Sequence, residues 1–180
     1  MRSQLRPFLR VLARAAWPAG AMFAAFTLAP AAQAATATTT FQVTATVLKA
    51  CLMTTPGTLA FGSYDPASTT PLAATTSLNV TCTFGTPYSI GLNAGTGTGA
   101  TITARAMTSP TAGAGNNSLA YGLFKESTYA TNWDNSTSGT GYTGSGLPQA
   151  RTIYGQIPTG QYTAAPATDY ADTITLTLTY

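Results

Sequence analysis

The sequence predicts an all-β fold, an immunoglobulin-like sandwich, and three observations carry that prediction. Short segments alternate apolar with small polar residues, no apolar period of 3.6 residues runs long enough for a buried helix, and glycine, proline and asparagine recur between the segments. Seven or eight short strands with frequent turn signals and two cysteines fit two packed antiparallel sheets.

The chain opens on a segment of a different kind. Arg2, Arg6, Arg10 and Arg14 form a basic front, an alanine-rich apolar stretch runs from Ala15 to Ala32, and Ala32-Gln33-Ala34 has the small-x-small form of a cleavage site. Residues 1–34 therefore read as an export signal. An uncleaved membrane anchor is the alternative, but Trp17, Pro18, Gly20 and Pro30 interrupt a stretch already shorter than the ~20 apolar residues a span requires. No stable membrane insertion is expected after cleavage. Residues 35–180, 146 in number, then make one domain with a single core.

Losing the signal reverses the charge. Lys49, Arg105, Lys125 and Arg151 remain against five acidic residues, a net charge of −1, so the basic balance of the precursor implies no nucleic-acid partner.

Within the domain the first alternating segment is Phe41, Val43, Ala45 and Val47, separated by Gln42, Thr44 and Thr46. Read locally, it is the domain's own first strand. Leu59 and Phe61 precede a turn at Tyr64-Asp65-Pro66. Leu78, Val80, Cys82 and Phe84 alternate with Asn79, Thr81 and Thr83, and Tyr88, Ile90 and Leu92 follow beyond Gly85 and Pro87, a spacing that predicts a hairpin. Weaker strands centre on Ile102, on 119–124 and on 152–157. The clearest strand closes the chain, with Ile174, Leu176, Leu178 and Tyr180 on one face and Thr173, Thr175, Thr177 and Thr179 on the other, and no residue beyond Tyr180 to form another. The loops 108–117 and 131–149 are rich in glycine, serine, threonine and asparagine and are expected at the surface.

Cys51 and Cys82 both lie in the exported part. An export signal with an even cysteine count points to an intramolecular disulfide, two unpaired core thiols being the alternative.

Chemistry is not expected. With no histidine in the chain, Ser-His-Asp and Cys-His arrangements and the commonest transition-metal ligand are absent. Asp65, Glu126, Asp134, Asp169 and Asp172 are scattered, with no calcium-type loop, and Asp169 and Asp172 read as solvated residues ahead of the terminal strand. The run 141–146 superficially resembles a phosphate loop but lacks the lysine and the strand-to-helix context, and reads as a flexible loop. No catalytic residue, metal ligand or cofactor is assigned. Tyr129, Trp133 and Tyr142, beside Asn132, Asp134 and Asn135, could stack on a sugar ring and bond its hydroxyls, with core packing as the other reading.

Four stretches taken together carry a resemblance: Phe41-Gln-Val-Thr-Ala-Thr-Val47 leading to Cys51, Leu59-Ala-Phe-Gly-Ser-Tyr-Asp-Pro66, Leu78-Asn-Val-Thr-Cys82, and Asp172-Thr-Ile-Thr-Leu-Thr-Leu-Thr-Tyr180. In this order they resemble the spore coat protein U domain family, which is similar to subunits of archaic (Csu-type) chaperone–usher pili. The resemblance implies a sandwich lacking its last strand, completed by a strand lent first by a periplasmic chaperone and then by the N-terminal segment of the next subunit. By position it implies residues 35–48 as the donor, with Phe41, Val43, Ala45 and Val47 as plugs, and Ile174, Leu176, Leu178 and Tyr180 on the acceptor edge. The implied partners are neighbouring subunits, the chaperone and an outer-membrane usher. The implied location is the periplasm and then a fibre at the cell surface, serving adhesion and biofilm formation. A loop-borne adhesin and a spore coat component are the rival expectations; tip adhesins of such fibres usually carry an extra N-terminal domain, for which 146 residues leave no room.

Overall fold

A computed structural model describes residues 33–180, so nearly all of the expected signal, residues 1–34, lies outside the described residues. The chain divides into two units, up to Thr44 and from Ala45 onward. In the first, residues 33–44 are exposed and carry no regular secondary structure. The second holds eight strands and, among the described residues, no helix: β1 (Cys51–Met53), β2 (Leu72–Cys82), β3 (Pro87–Leu92), β4 (Arg105–Thr108), β5 (Ser118–Phe124), β6 (Tyr142–Thr143), β7 (Gln149–Ile157) and β8 (Leu176–Thr179).

The strands form two sheets, in the orders β1-β2-β7-β5-β4 and β6-β3-β8, every pairing antiparallel. Together they make the expected sandwich. Its core comes from alternate residues of facing strands: Leu78, Val80 and Cys82 of β2, Ile153 and Ile157 of β7, and Leu119, Tyr121 and Leu123 of β5 meet Tyr88, Ile90 and Leu92 of β3. The intervening residues of β2, among them Thr75, Ser77 and Asn79, face solvent, which is why the polar half of the alternation is threonine, serine and asparagine. At Gly155 of β7 a Cβ would lie 2.8 Å from the side-chain ends of both Leu59 and Phe61, so these two must shift if the residue is larger; their segment joins the core without becoming a strand.

The hairpin expected between the Cys82 strand and the Tyr88 strand does not form. The turn is present, closed by Thr86 N–H donating to Thr83 O, with Gly85 at φ 75°. A positive φ confined to its second central residue is the type II geometry, whose twist splays the flanking strands instead of pairing them. β2 and β3 accordingly lie in different sheets, and Phe84 points into solvent instead of alternating inward.

Three further readings shift. No strand forms at Ile102; the chain pairs three residues later, as Arg105–Thr108 against β5. The 131–149 segment is not simply a surface loop, since it contains the buried Trp133 and β6. The segment 41–47, read locally as the domain's own first strand, has no strand structure, and the first strand starts at Cys51.

Cys51 and Cys82 are directly opposed in the β1–β2 register and are bonded. The bond closes a loop of 31 residues holding the irregular 54–71 segment. In the chain-entropy account it stabilises the domain by up to about 3.7 kcal/mol. The double substitution Cys51→Ala/Cys82→Ala is therefore expected to lower the unfolding free energy in urea by about 3 kcal/mol, with an unchanged fold by circular dichroism.

Candidate functional site: an open strand edge and its anchor

β8 pairs with β3 along one side only, from Leu92↔Leu176 to Ser89↔Thr179. Its other side has no strand neighbour among the described residues. Leu176 and Leu178 of β8, and Ile174 two residues before it, pack against the core, as the alternation requires. Yet these three remain partly exposed, whereas the core-facing Tyr88, Ile90 and Leu92 of β3 are sealed. Inward-facing aliphatic side chains stay wet when the strand that should flank them is missing, and the bare N–H and C=O groups of such an edge are a template for another strand. Tyr180, expected on the same edge, lies one residue beyond β8 and is exposed.

The opposite character is found at 41–47. Phe41, Val43 and Val47 are 86, 84 and 85% exposed, and Ala45 is exposed as well. The Phe-x-Val-x-Ala-x-Val pattern that would fill one face of a sheet is thus left in solvent.

What holds β8 in place was not legible in the sequence. Arg105 is completely buried, and its guanidinium donates to four backbone carbonyls: Nε to Asn93 O (2.9 Å), Nη1 to Ile102 O (2.8 Å), and Nη2 to Leu92 O (3.0 Å) and Trp133 O (2.8 Å). It thereby joins the end of β3 to two loops. Tyr121, opposite Arg105 in the β4–β5 register, donates its hydroxyl to Asp172 Oδ2 at 2.6 Å. Asp172 Oδ1 accepts from Thr96 N–H, the Thr96 hydroxyl and Thr173 N–H at 2.7, 2.8 and 2.7 Å. Asp172 is therefore a hub that ties the approach to β8 to β5 and to the loop after β3, not the solvated residue the sequence suggests. Asp169 is similarly engaged, accepting from the hydroxyls of Ser109 and Thr111.

These contacts set the charges. Burial pushes the Arg105 pKa down, against the pull of Tyr121 and Asp172. Burial and the bond to Asp172 push the Tyr121 hydroxyl far up. For Asp172 burial favours the protonated acid, but the donors from Thr96, Tyr121 and Thr173 outweigh it and hold the carboxyl below its ordinary value. A carboxylate depressed in the folded state contributes stability that is present above its unfolded pKa, about 3.9, and is lost as pH falls through the folded value. Asp172→Asn is accordingly expected to be less stable than wild type at pH 6 and to lose less on going to pH 3, as read from urea midpoints.

The three aromatic residues offered for sugar stacking are not brought together. Trp133 is 1% exposed and its indole N–H donates to Ile90 O at 2.9 Å, so it presents no face to a ligand; core packing is its role. Tyr129, at φ 55°, packs edge-on against Phe124. Tyr142 lies under the Arg151 guanidinium, 4.1 Å from its ring, and borders an open hollow of about 260 Å³ rimmed by the Lys125–Asp134 ion pair. Among the described residues no group of three or more His, Cys, Asp and Glu is placed to hold a metal ion, and no helix is long and apolar enough to cross a membrane.

Residues 37–177 match the Spore Coat Protein U domain family. The chain belongs to that family. A curated relative, "Protein U" of Myxococcus xanthus, is 38% identical over 163 residues, covering 83% of this chain and 88% of the relative. Among solved structures, this spore coat U domain matches a chain of the CsuC–CsuE chaperone–tip adhesion subunit pre-assembly complex from the archaic chaperone–usher Csu pili of Acinetobacter baumannii. The TM-score is 0.50 at 25% identity, over 75% of this chain. The match spans 40% of that chain's length.

Proposed function

We propose that this protein is a structural subunit of a secreted surface fibre, assembled by the chaperone–usher route through β-strand donation and serving adhesion and biofilm formation. The observation that carries the reading is the mismatch at β8, where the core-facing Leu176 and Leu178, and Ile174 just before the strand, are left half-wet beside an edge that no strand among the described residues pairs. The exposed alternating segment 35–48 is the complement: Phe41, Val43, Ala45 and Val47 would enter the groove of the next copy while main-chain hydrogen bonds complete its sheet. Burying each large plug contributes about 1.5 to 3 kcal/mol, enough in sum for a joint that scarcely dissociates. A periplasmic chaperone would lend the strand before assembly and an outer-membrane usher would pass the fibre to the surface. The likeness to a chain from Csu pili supports this partner set.

The relative called "Protein U" favours a second setting, a spore coat, in which the same exchange would build a shell. Both settings need the donor segment. Size-exclusion chromatography with light scattering on residues 35–180, with and without 35–47, tests it. Polymers from the longer chain and none from the shorter are expected; equally stable monomers from both would dismiss strand donation.

A further inference from the structure

We propose that Phe84 and Leu147 form a second contact with the neighbouring copy of this chain, beside the donated strand; the inference rests on the strand-donation reading above. Both side chains stand in solvent, at 87 and 69% exposure. They lie on adjacent loops: Gly85 N–H donates to Gly144 O at 2.9 Å, and Gly146 N–H donates to Cys82 O at 3.1 Å. At Gly144 a Cβ would come within 2.5 Å of Thr83 O, so the close seating of the Leu147 loop on the Phe84 turn depends on glycine there.

This pole of the domain is also where the N-terminal segment leaves it. Thr83 N–H donates to Ala50 O at 2.9 Å and Ala50 N–H donates to Thr83 Oγ1 at 3.3 Å, which fixes Ala50 one residue from Phe84. Only Leu48 and Lys49 separate Ala50 from the last plug, Val47. A chain extends at most ~3.6 Å per residue, so Val47 in a neighbour's groove can be no more than about 11 Å from Ala50. The body that holds Val47 must therefore sit against the Phe84–Leu147 pole, closer than a flexible tether would require. Two exposed apolar side chains at that point are then covered by the neighbour, and the joint acquires a fixed angle instead of swinging on a linker.

The partner is a second copy, and the test compares two states of the same chain. Hydroxyl-radical footprinting is applied to residues 35–180 as assembled polymer and as monomer capped with a synthetic 35–48 peptide. Oxidation of Phe84 and Leu147 is expected to fall by about threefold or more in the polymer, as for side chains entering an interface core. The double variant Phe84→Ser/Leu147→Ser is expected to bind the peptide as wild type does, showing an intact groove, yet to give polymers of broader bend angle by electron microscopy. Equal oxidation in the two states, or unchanged bend angles, would overturn the contact while leaving strand donation standing. Failure of the peptide to bind at all would remove strand donation, and this contact with it.

Discussion

Replacing Arg105 with methionine is expected to cost about 4 kcal/mol of stability, a large share of the roughly 5–15 kcal/mol that holds a domain together. The side chain is completely buried, and its removal strips donors from the carbonyls of Leu92, Asn93, Ile102 and Trp133. Each buried acceptor left unpaired costs about 1–3 kcal/mol, partly offset because methionine carries no charge to desolvate. Arg105→Lys should recover little, since an ammonium offers three donors from one point while the carbonyls are arranged around a planar fork. Urea unfolding at pH 7 measures both. A loss under 1 kcal/mol for the methionine variant would mean that the four hydrogen bonds are replaceable by water and that the anchor lies elsewhere.

The double substitution Phe41→Asp/Val43→Asp is expected to leave the isolated domain's stability within about 0.5 kcal/mol of wild type, because both side chains are already in solvent. Its effect should fall on assembly. Two plugs would be lost and two carboxylates would have to enter a dry groove, so a 35–48 peptide carrying both changes should bind at least ~100-fold more weakly, or about 2.7 kcal/mol. The two readings of 41–47 separate cleanly here. Had this segment been the domain's own first strand, the same substitutions would destabilise the monomer by several kcal/mol, the cost of core truncation.

Much of the sandwich was legible because period-two alternation reports directly on sheets with one wet face. The strands around Leu78–Cys82, 119–124 and 152–157 and the terminal threonine-leucine run all carry it, and each is a strand in the structure. The Cys51–Cys82 bond followed from export and an even count. Alternation failed where it says nothing about partners. It cannot tell a strand in a sheet from an extended segment awaiting one, and so by itself it leaves 41–47 open between an ordinary first strand and a donor. Nor does it show whether a turn pairs two strands or carries the chain across the core, and the positive φ of Gly85 decided that between β2 and β3.

The anchor was missed for a different reason. In the sequence Arg105 counts only toward the charge balance, since its burial depends largely on backbone carbonyls of Leu92, Asn93 and Trp133, 12 to 28 residues away, which no local pattern encodes. Asp172 was read as solvated for the same reason, although it lies two residues before the start of the alternating terminal run. The one available signal was that Arg105 is a lone cation in an otherwise uncharged stretch, in a chain with only 7% charged residues. For Trp133 the sequence leaves two readings, a sugar platform and core packing, and the structure decides for the second. Polar neighbours allow the first, but its indole N–H is spent on Ile90 O in the core.

The most direct test of strand donation is a thermal titration. A chain lacking residues 35–47 is refolded, a synthetic peptide of residues 35–48 is added in increasing amounts, and unfolding is followed by circular dichroism. The account predicts a one-to-one complex whose midpoint rises by about 10 °C at peptide concentrations near 100 times Kd, where binding adds about 2.7 kcal/mol. The Asp-substituted peptide should produce no such rise at the same concentrations. An unchanged midpoint with the wild-type peptide, together with a truncated domain already as stable as the full chain, would contradict it: β8 would then need no partner, and the fold would be complete as it stands.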